Sequence, residues 1–323
     1  MVIHDEHENK KNYSCQITQF CATLILFMSD HLKKWLLFLS LSFIWGSSFI
    51  LMKEGLLHLT AFQVASLRIV ASGLAFLPIL FRSFKSIPFA KWHWVFLSGA
   101  LGSLIPAYLF CIAETGIDSS LAGALNSLTP IFVIITGALF FQMKPSSDKI
   151  AGILVAFTGC IGLYLGQGKG AADNSLVLIF MVIAATLCYG LNVNLVQRFL
   201  KGIPSLEIVS MALFFNALPA LTALFYSGYF DLDFNNRGIL VSSGFSALLG
   251  IGGTAIANFL FYILIKKSGP VFSSMVTYGI PFVAMGWGLF YGEKAGWPQF
   301  LSLSIILAGV YIANRKPGKP AEA

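Results

Sequence analysis

Charge is scarce in this sequence. Only 11% of the 323 residues are Asp, Glu, Lys or Arg, against 57% hydrophobic residues. A soluble domain carries roughly 25% charged and about 45–50% apolar residues. One soluble core could not hide so much apolar surface, so lipid has to be the solvent for most of it. Cysteine is also sparse. Cys111, Cys160 and Cys188 fall in apolar segments, Cys15 and Cys21 lie near the N-terminus, and no Cys-x-x-Cys occurs. An odd set of five without that spacing predicts neither a disulfide framework nor a metal site. His4, His7, His31, His58 and His93 have no ligand spacing either. There is no P-loop, no Gly-x-Gly-x-x-Gly, no His-Glu-x-x-His and no Gly-x-Ser-x-Gly, so ATP does not drive the chain directly and no cofactor is expected. The net charge of +7 is scattered between apolar segments, which reads as membrane topology and argues against a nucleic-acid partner.

What the chain does have is a repeat. Thr129-Pro130-Ile131-Phe132 matches Ile280-Pro281-Phe282-Val283, and the same shift of 151 positions lays Gly99 on Gly250, Gly102 on Gly253, Phe110 on Phe261 and Gly137 on Gly288. A shift of 144 lays Trp45-Gly46 on Tyr189-Gly190 and Ser66 on Ser210. Weak internal repetition in a polytopic chain is the mark of a transporter built from two related halves.

A span needs roughly 20 apolar residues. Ten are expected, at about 35–53, 62–81, 93–113, 119–141, 149–166, 175–196, 205–227, 239–264, 270–291 and 297–314. The expected fold is therefore an all-α polytopic membrane protein. Residues 33–168 and 175–316 form two five-helix repeats, with residues 1–32 and 317–323 as tails. With the N-terminus inside, 16 Lys and Arg fall on the inner side. The outer side holds only Lys53, Lys169, Arg237 and Lys294, and Arg68 lies within a span. This bias places both termini in the cytoplasm of a plasma or inner membrane. Five spans per half invert the second repeat relative to the first. Residues 1–27 lie outside the repeat. Gln16 to Met28 is an apolar run of 13 residues, too short to span, and Met28 followed by Ser-Asp-His-Leu-Lys-Lys resembles a natural start; this stretch is read as a dispensable extension.

Polar residues in apolar spans mark the candidate pathway. Arg68 stands six residues into the second span, about 9 Å deep at 1.5 Å per residue, where a charge costs at least ~2.5 kcal/mol. Two readings are open for it: facing a central cavity to meet an anionic group, or a structural lock with Glu54 or Glu114. Trp45 and Ser48, with Asn192 in the matching place of the sixth span, are candidates to line a pathway, helix–helix hydrogen bonding being the alternative. Pro130 and Pro281 sit at matching positions in spans four and nine, and each frees a backbone carbonyl; they serve gating or a fixed kink. Asn126, Thr129, Ser274 and Tyr278 lie close before these prolines, and Tyr108 and Asn258 precede them on spans three and eight. Glu114, near the outer end of span three, is the deepest carboxylate and the candidate for ion coupling.

These residues together resemble the drug/metabolite transporter superfamily, in its EamA-type branch of two five-span repeats. The resemblance covers about residues 35–315. It rests on Ile44-Trp45-Gly46-Ser47-Ser48-Phe49, on Arg68, on the Pro130 and Pro281 helices, and on Gly288 through Tyr291-Gly292-Glu293 to Ala308-Gly309-Val310. Gln142-Met143 departs from the family's frequent Gly-Glu, which removes a first-half carboxylate. The resemblance implies a membrane carrier, often an exporter of amino acids or related metabolites. The expected function is a secondary transporter, exporter or exchanger, working by alternating access around a midplane cavity, with a small molecule and the bilayer as its partners. A sugar-phosphate or nucleotide-sugar carrier remains an alternative, as do a membrane-embedded enzyme and a scaffold. Oligomeric state is not legible.

Overall fold

The computed structural model describes residues 29–117, 119–165, 176–290 and 296–314. The N-terminal extension, Cys15, Cys21, the C-terminal tail and Tyr291-Gly292-Glu293 lie outside them. Among the described residues every regular element is a helix. The helices are α1 (Asp30–Leu56), α2 (Ala61–Ala75), α3 (Leu77–Ser86), α4 (Trp92–Gly99), α5 (Ile105–Ala113), α6 (Ser119–Asn126), α7 (Thr129–Phe141), α8 (Ser147–Leu165), α9 (Leu176–Phe199), α10 (Ser205–Tyr226), α11 (Arg237–Leu248), α12 (Ala257–Ser274), α13 (Ile280–Phe290) and α14 (Trp297–Asn314). Among the described residues five stretches are long and apolar enough to cross a membrane, and six if α2 and α3 count as one bent span. The chain is thus an all-α, multi-pass membrane protein.

Local chemistry sets several ends. The Ser29 hydroxyl accepts from the Leu32 N–H to cap α1, and Thr60 and Gln63 form a reciprocal capping box on α2, satisfying N–H groups that have no partner inside the helix. The straight span expected over 62–81 is instead α2 and α3, bent by 69°. Pro78 sits in the first turn of α3, where its missing N–H breaks the ladder, and the Ser210 hydroxyl donates to the Phe76 carbonyl at the bend (3.1 Å). The 51-residue stretch Arg237–Trp287 leaves helical geometry at Gly269 (φ 79°, ψ 170°), a backbone region open mainly to glycine, with Pro270 next.

Two segments are wide π-type turns: Ala100–Leu104 between α4 and α5, and Leu249–Ile256 between α11 and α12. The 151-residue shift superposes them in sequence. Each π turn carries one extra residue within a helix and turns the following face. Pro130 and Pro281 likewise open α7 and α13 after matching breaks, at Ser127-Leu128 and at Met275–Gly279.

Contacts between the halves follow the same two shifts. A Cβ added at Gly46 would meet the Val283 side chain, and one at Gly190 would meet Phe132. One at Gly99 would meet the Ala212 carbonyl, and one at Gly250 the Arg68 carbonyl. One at Gly102 would meet the Asn192 amide, and one at Gly253 the Ser48 hydroxyl. The Trp45 ring packs on Phe261 (centroids 4.9 Å) and Tyr189 on Phe110 (6.1 Å). In each pair the second contact is the first with the two halves exchanged. Two contacts map onto themselves: Gly73 against Ala217 at the shift of 144, and, at a third shift of 157, α8 against α14, where Gly152 meets Gly309 and Ala313 while Gly309 meets Gly152 and Ala156. Small residues let these helix backbones touch, which is how helices pack when lipid removes the hydrophobic drive between them.

Candidate functional site

The wide turns, the proline breaks and the glycine contacts converge on one cavity with about 800 Å³ of empty space, part of it open to solvent. Its wall is drawn from both halves. Aromatic surface comes from Trp45, Phe49, Phe110, Tyr189 and Phe261, amides from Asn126, Asn192 and Asn258, and hydroxyls from Ser48, Ser103, Thr129, Thr254, Ser274 and Thr277. Met52 and Ile280 complete the apolar part. The lining runs from mid-bundle toward the end at which α1 finishes: Met52 is four residues from that end of α1, and Phe110 three from the end of α5. Tyr262 and Tyr278 are almost wholly buried.

Arg68 is the only charged side chain in the lining among the described residues. Its Nε donates to the Thr254 hydroxyl at 2.7 Å. The second π turn supplies that threonine, so the wide turn positions the guanidinium. Among the described residues no carboxylate lies within ion-pair distance of Arg68, and the ion pair there is Arg82–Glu207, at 3.1 Å. The structural lock with Glu54 or Glu114 is therefore not formed. A guanidinium beside amides and aromatic faces, without a carboxylate partner, is chemically suited to an anionic group with an apolar body.

Other polar contacts hold the wall in place. The Trp45 indole N–H donates to the Gly253 carbonyl (3.0 Å). The Asn258 amide donates to Ser103 (2.8 Å), joining the first turn of α12 to the first π turn. Thr129 donates to the Asn126 carbonyl (2.8 Å) across the break before Pro130. Glu114 stands just beyond the end of α5. Its Oε1 is shut off from solvent and has no hydrogen-bond partner. Burial pushes this carboxyl up to about 8, against the pull of the Arg68 and Lys53 charges and the Ser119 hydroxyl.

Of the sequence candidates, Trp45, Ser48, Arg68, Asn126, Thr129, Asn192, Asn258 and Ser274 share this cavity. Tyr108 does not: its hydroxyl is 2.6 Å from that of Ser66, and its ring packs on Phe62. Tyr278 is buried below the cavity and donates to the Ile153 carbonyl (3.1 Å). Asn194, two residues from Asn192, faces away and donates to the Val133 carbonyl and the Thr136 hydroxyl (2.8 and 3.0 Å), which is helix–helix bonding. Phe49, Met52, Ser103 and Thr254 line the cavity without having been singled out. The repeat carried part of that signal: Thr254 matches Ser103.

Comparison with known proteins agrees with this geometry. A solved crystal structure superposes with a TM-score of 0.68 at 16% identity, over 88% of this chain and 97% of that one, which is a likeness of fold. An uncharacterized transporter of Archaeoglobus fulgidus is 25% identical over 286 residues, 88% of this chain and all of that protein. The probable amino-acid metabolite efflux pump of Salmonella typhimurium is 23% identical over 84% of this chain and 82% of its own length. The inner membrane transporter YedA of Escherichia coli is 24% identical over 88% and 92%. One family model, the EamA-like transporter family, matches the chain twice, at residues 32–165 and 176–315. The chain belongs to the EamA-like transporter family.

Proposed function

We propose that this protein is a secondary carrier of amino acids or their derivatives, an exporter or exchanger. In this reading ten spans form two inverted five-helix repeats with both termini cytoplasmic, and the halves rock around the cavity to expose it to either side in turn. The exchanged contacts between halves support the inverted arrangement. A lining that reaches toward the outer end of the bundle supports an outward-facing state. One observation carries the substrate class: among the described residues the cavity has a single guanidinium, without a carboxylate partner, set among aromatic rings and amides. One cation suits one carboxylate, while a sugar phosphate or nucleotide sugar calls for more positive charge. The relatives named as amino-acid metabolite efflux pumps point the same way.

The test is uptake and counterflow in proteoliposomes of the purified protein, with labelled amino acids, nucleosides and sugar phosphates. Saturable flux is expected for amino acids. Flux for sugar phosphates alone would replace this reading with the alternative.

Glu114 gives the carrier a pH response whose sign can be worked out. With its carboxyl raised to about 8, the neutral acid prevails at pH 7. Above pH 8 it becomes a carboxylate near Arg68 and competes with the substrate's own carboxylate for the guanidinium. Apparent substrate affinity is expected to fall several-fold between pH 7 and 9, and Glu114→Gln is expected to remove the fall. We expect no proton flux to accompany the substrate. A proton current that tracks substrate and vanishes in Glu114→Gln would instead make Glu114 a coupling site.

A further inference from the structure

The exchanged contacts between the halves predict a cavity whose two sides are alike. The lining departs from that likeness at several places, and four of them carry a charge or a carboxamide. The first half supplies Arg68 where the second has Ala212, and Asn126 where the second has Thr277. The second supplies Asn192 where the first has Ser48, and Asn258 where the first has Ala107. The cation thus comes from one half alone, with carboxamides on both sides. A ligand with two unlike ends would fit such a cavity in one orientation.

Asn192 is the informative member of the set. Its side chain is 2% exposed and lines the cavity. Its Nδ2 points at the Tyr262 hydroxyl (3.4 Å), and that hydroxyl points on to the Ser98 carbonyl (3.5 Å). The single tyrosine proton goes to the carbonyl, so the hydroxyl receives the amide N–H. This relay fixes which way round the amide sits. It leaves Oδ1 as a buried acceptor with no hydrogen-bond partner. Buried acceptors are nearly always satisfied, so one without a partner, on a residue that lines the cavity, fits a ligand donor. Asn194, two residues on, faces α7 instead, where its Nδ2 donates to the Val133 carbonyl and the Thr136 hydroxyl.

We propose that Asn192 is the specificity-determining residue for the substrate's nitrogen: its Oδ1 accepts an N–H from the ammonium or amide group while Arg68 holds the carboxylate. The aromatic pairs Trp45–Phe261 and Tyr189–Phe110 then flank the side chain. The inference rests on the amino-acid reading above and narrows it: the carrier selects α-amino or α-amido carboxylates over plain carboxylates of the same size.

The test is competition for labelled phenylalanine bound to the purified protein, using unlabelled phenylalanine, phenylpropionate and phenethylamine. The unaltered protein is expected to prefer phenylalanine to phenylpropionate by about tenfold, the loss that follows when one buried hydrogen bond is left unmade. Asn192→Ala is expected to collapse this ratio to near one while keeping its affinity for phenylpropionate, which also reports that the site still folds. Asn192→Asp keeps an acceptor there and is expected to preserve the preference; should Asn192→Ala unfold, Asn192→Ser carries the same comparison. No preference in the unaltered protein, or a preference that survives in Asn192→Ala, would overturn the role of Asn192 and leave the carrier reading standing. Failure of the unaltered protein to bind either phenylalanine or leucine would overturn the amino-acid reading, and this inference with it.

Discussion

Arg68→Ala is expected to lower kcat/KM for amino-acid transport by about a hundredfold. A guanidinium that meets a carboxylate with two charge-assisted hydrogen bonds contributes on the order of 3 kcal/mol in a site sheltered from water, and each 1.4 kcal/mol is a factor of ten. Nothing else in the described lining carries a positive charge, so no neighbour can take over. Arg68→Lys keeps the charge and loses the planar fork, and should fall between the two. The measurement is initial-rate flux into proteoliposomes, with thermal midpoints recorded on the same samples. Among the described residues the Arg68 side chain bonds Thr254 alone, through Nε, so the fold should survive the change. Unaltered flux in a folded Arg68→Ala protein would remove the guanidinium from the transport path.

Gly152→Val and Gly309→Val should have the largest effects on stability. A Cβ at Gly152 would stand 2.6 Å from the Ala313 Cβ and from the Gly309 carbonyl oxygen. One at Gly309 would stand 2.6 Å from the Gly152 carbonyl oxygen and 2.7 Å from the Ala156 Cα. Most of these neighbours are backbone atoms, which cannot swing aside, so α8 and α14 would have to separate along their contact. Overpacking usually costs about 1–3 kcal/mol, and a clash with backbone on both helices belongs at or above the top of that range. The expected result is little monodisperse protein, or a thermal midpoint many degrees lower in fluorescence-detected gel filtration. Gly244→Val is the control, because a Cβ there meets nothing within 4 Å. Equal midpoints for all three would mean that α8 and α14 are not in contact.

Much of this was written in the sequence, and the parts that were not have physical reasons. The helices and the repeat were legible because lipid demands long apolar runs and because two related halves keep the same glycines and prolines. Eight of the pathway candidates share the cavity because an amide, a hydroxyl or a guanidinium in an apolar helix must face protein or water. The directions of side chains were harder to read. A transmembrane helix is apolar on its lipid face and largely apolar on its protein face, so α1, α9 and α10 carry no stripe to orient them. Tyr108 and Tyr278 stood at suitable depths and point elsewhere. The two π turns add to this, since an extra residue rotates all that follows by about 100°, one residue's turn of a 3.6-residue helix. Thr254 reaches Arg68 from within such a turn. The bend between α2 and α3 could have been placed at Pro78, but apolar residues on both sides made one straight span the simpler reading.

Paired contacts that turn into each other when the halves are exchanged have an energetic consequence. In a carrier that alternates between two arrangements, a contact of one half in the first arrangement is replaced by its counterpart in the second. Terms shared by both halves therefore cancel. What remains comes from the positions where the halves differ, which in the lining include Arg68 against Ala212, Asn126 against Thr277, Asn192 against Ser48 and Asn258 against Ala107. In such a carrier these differences bias which way the empty protein rests, and about 1.4 kcal/mol among them is enough for a tenfold bias. Residues that give the cavity its chemical polarity would then also bear on its resting direction, and a change made to one property is expected to move the other.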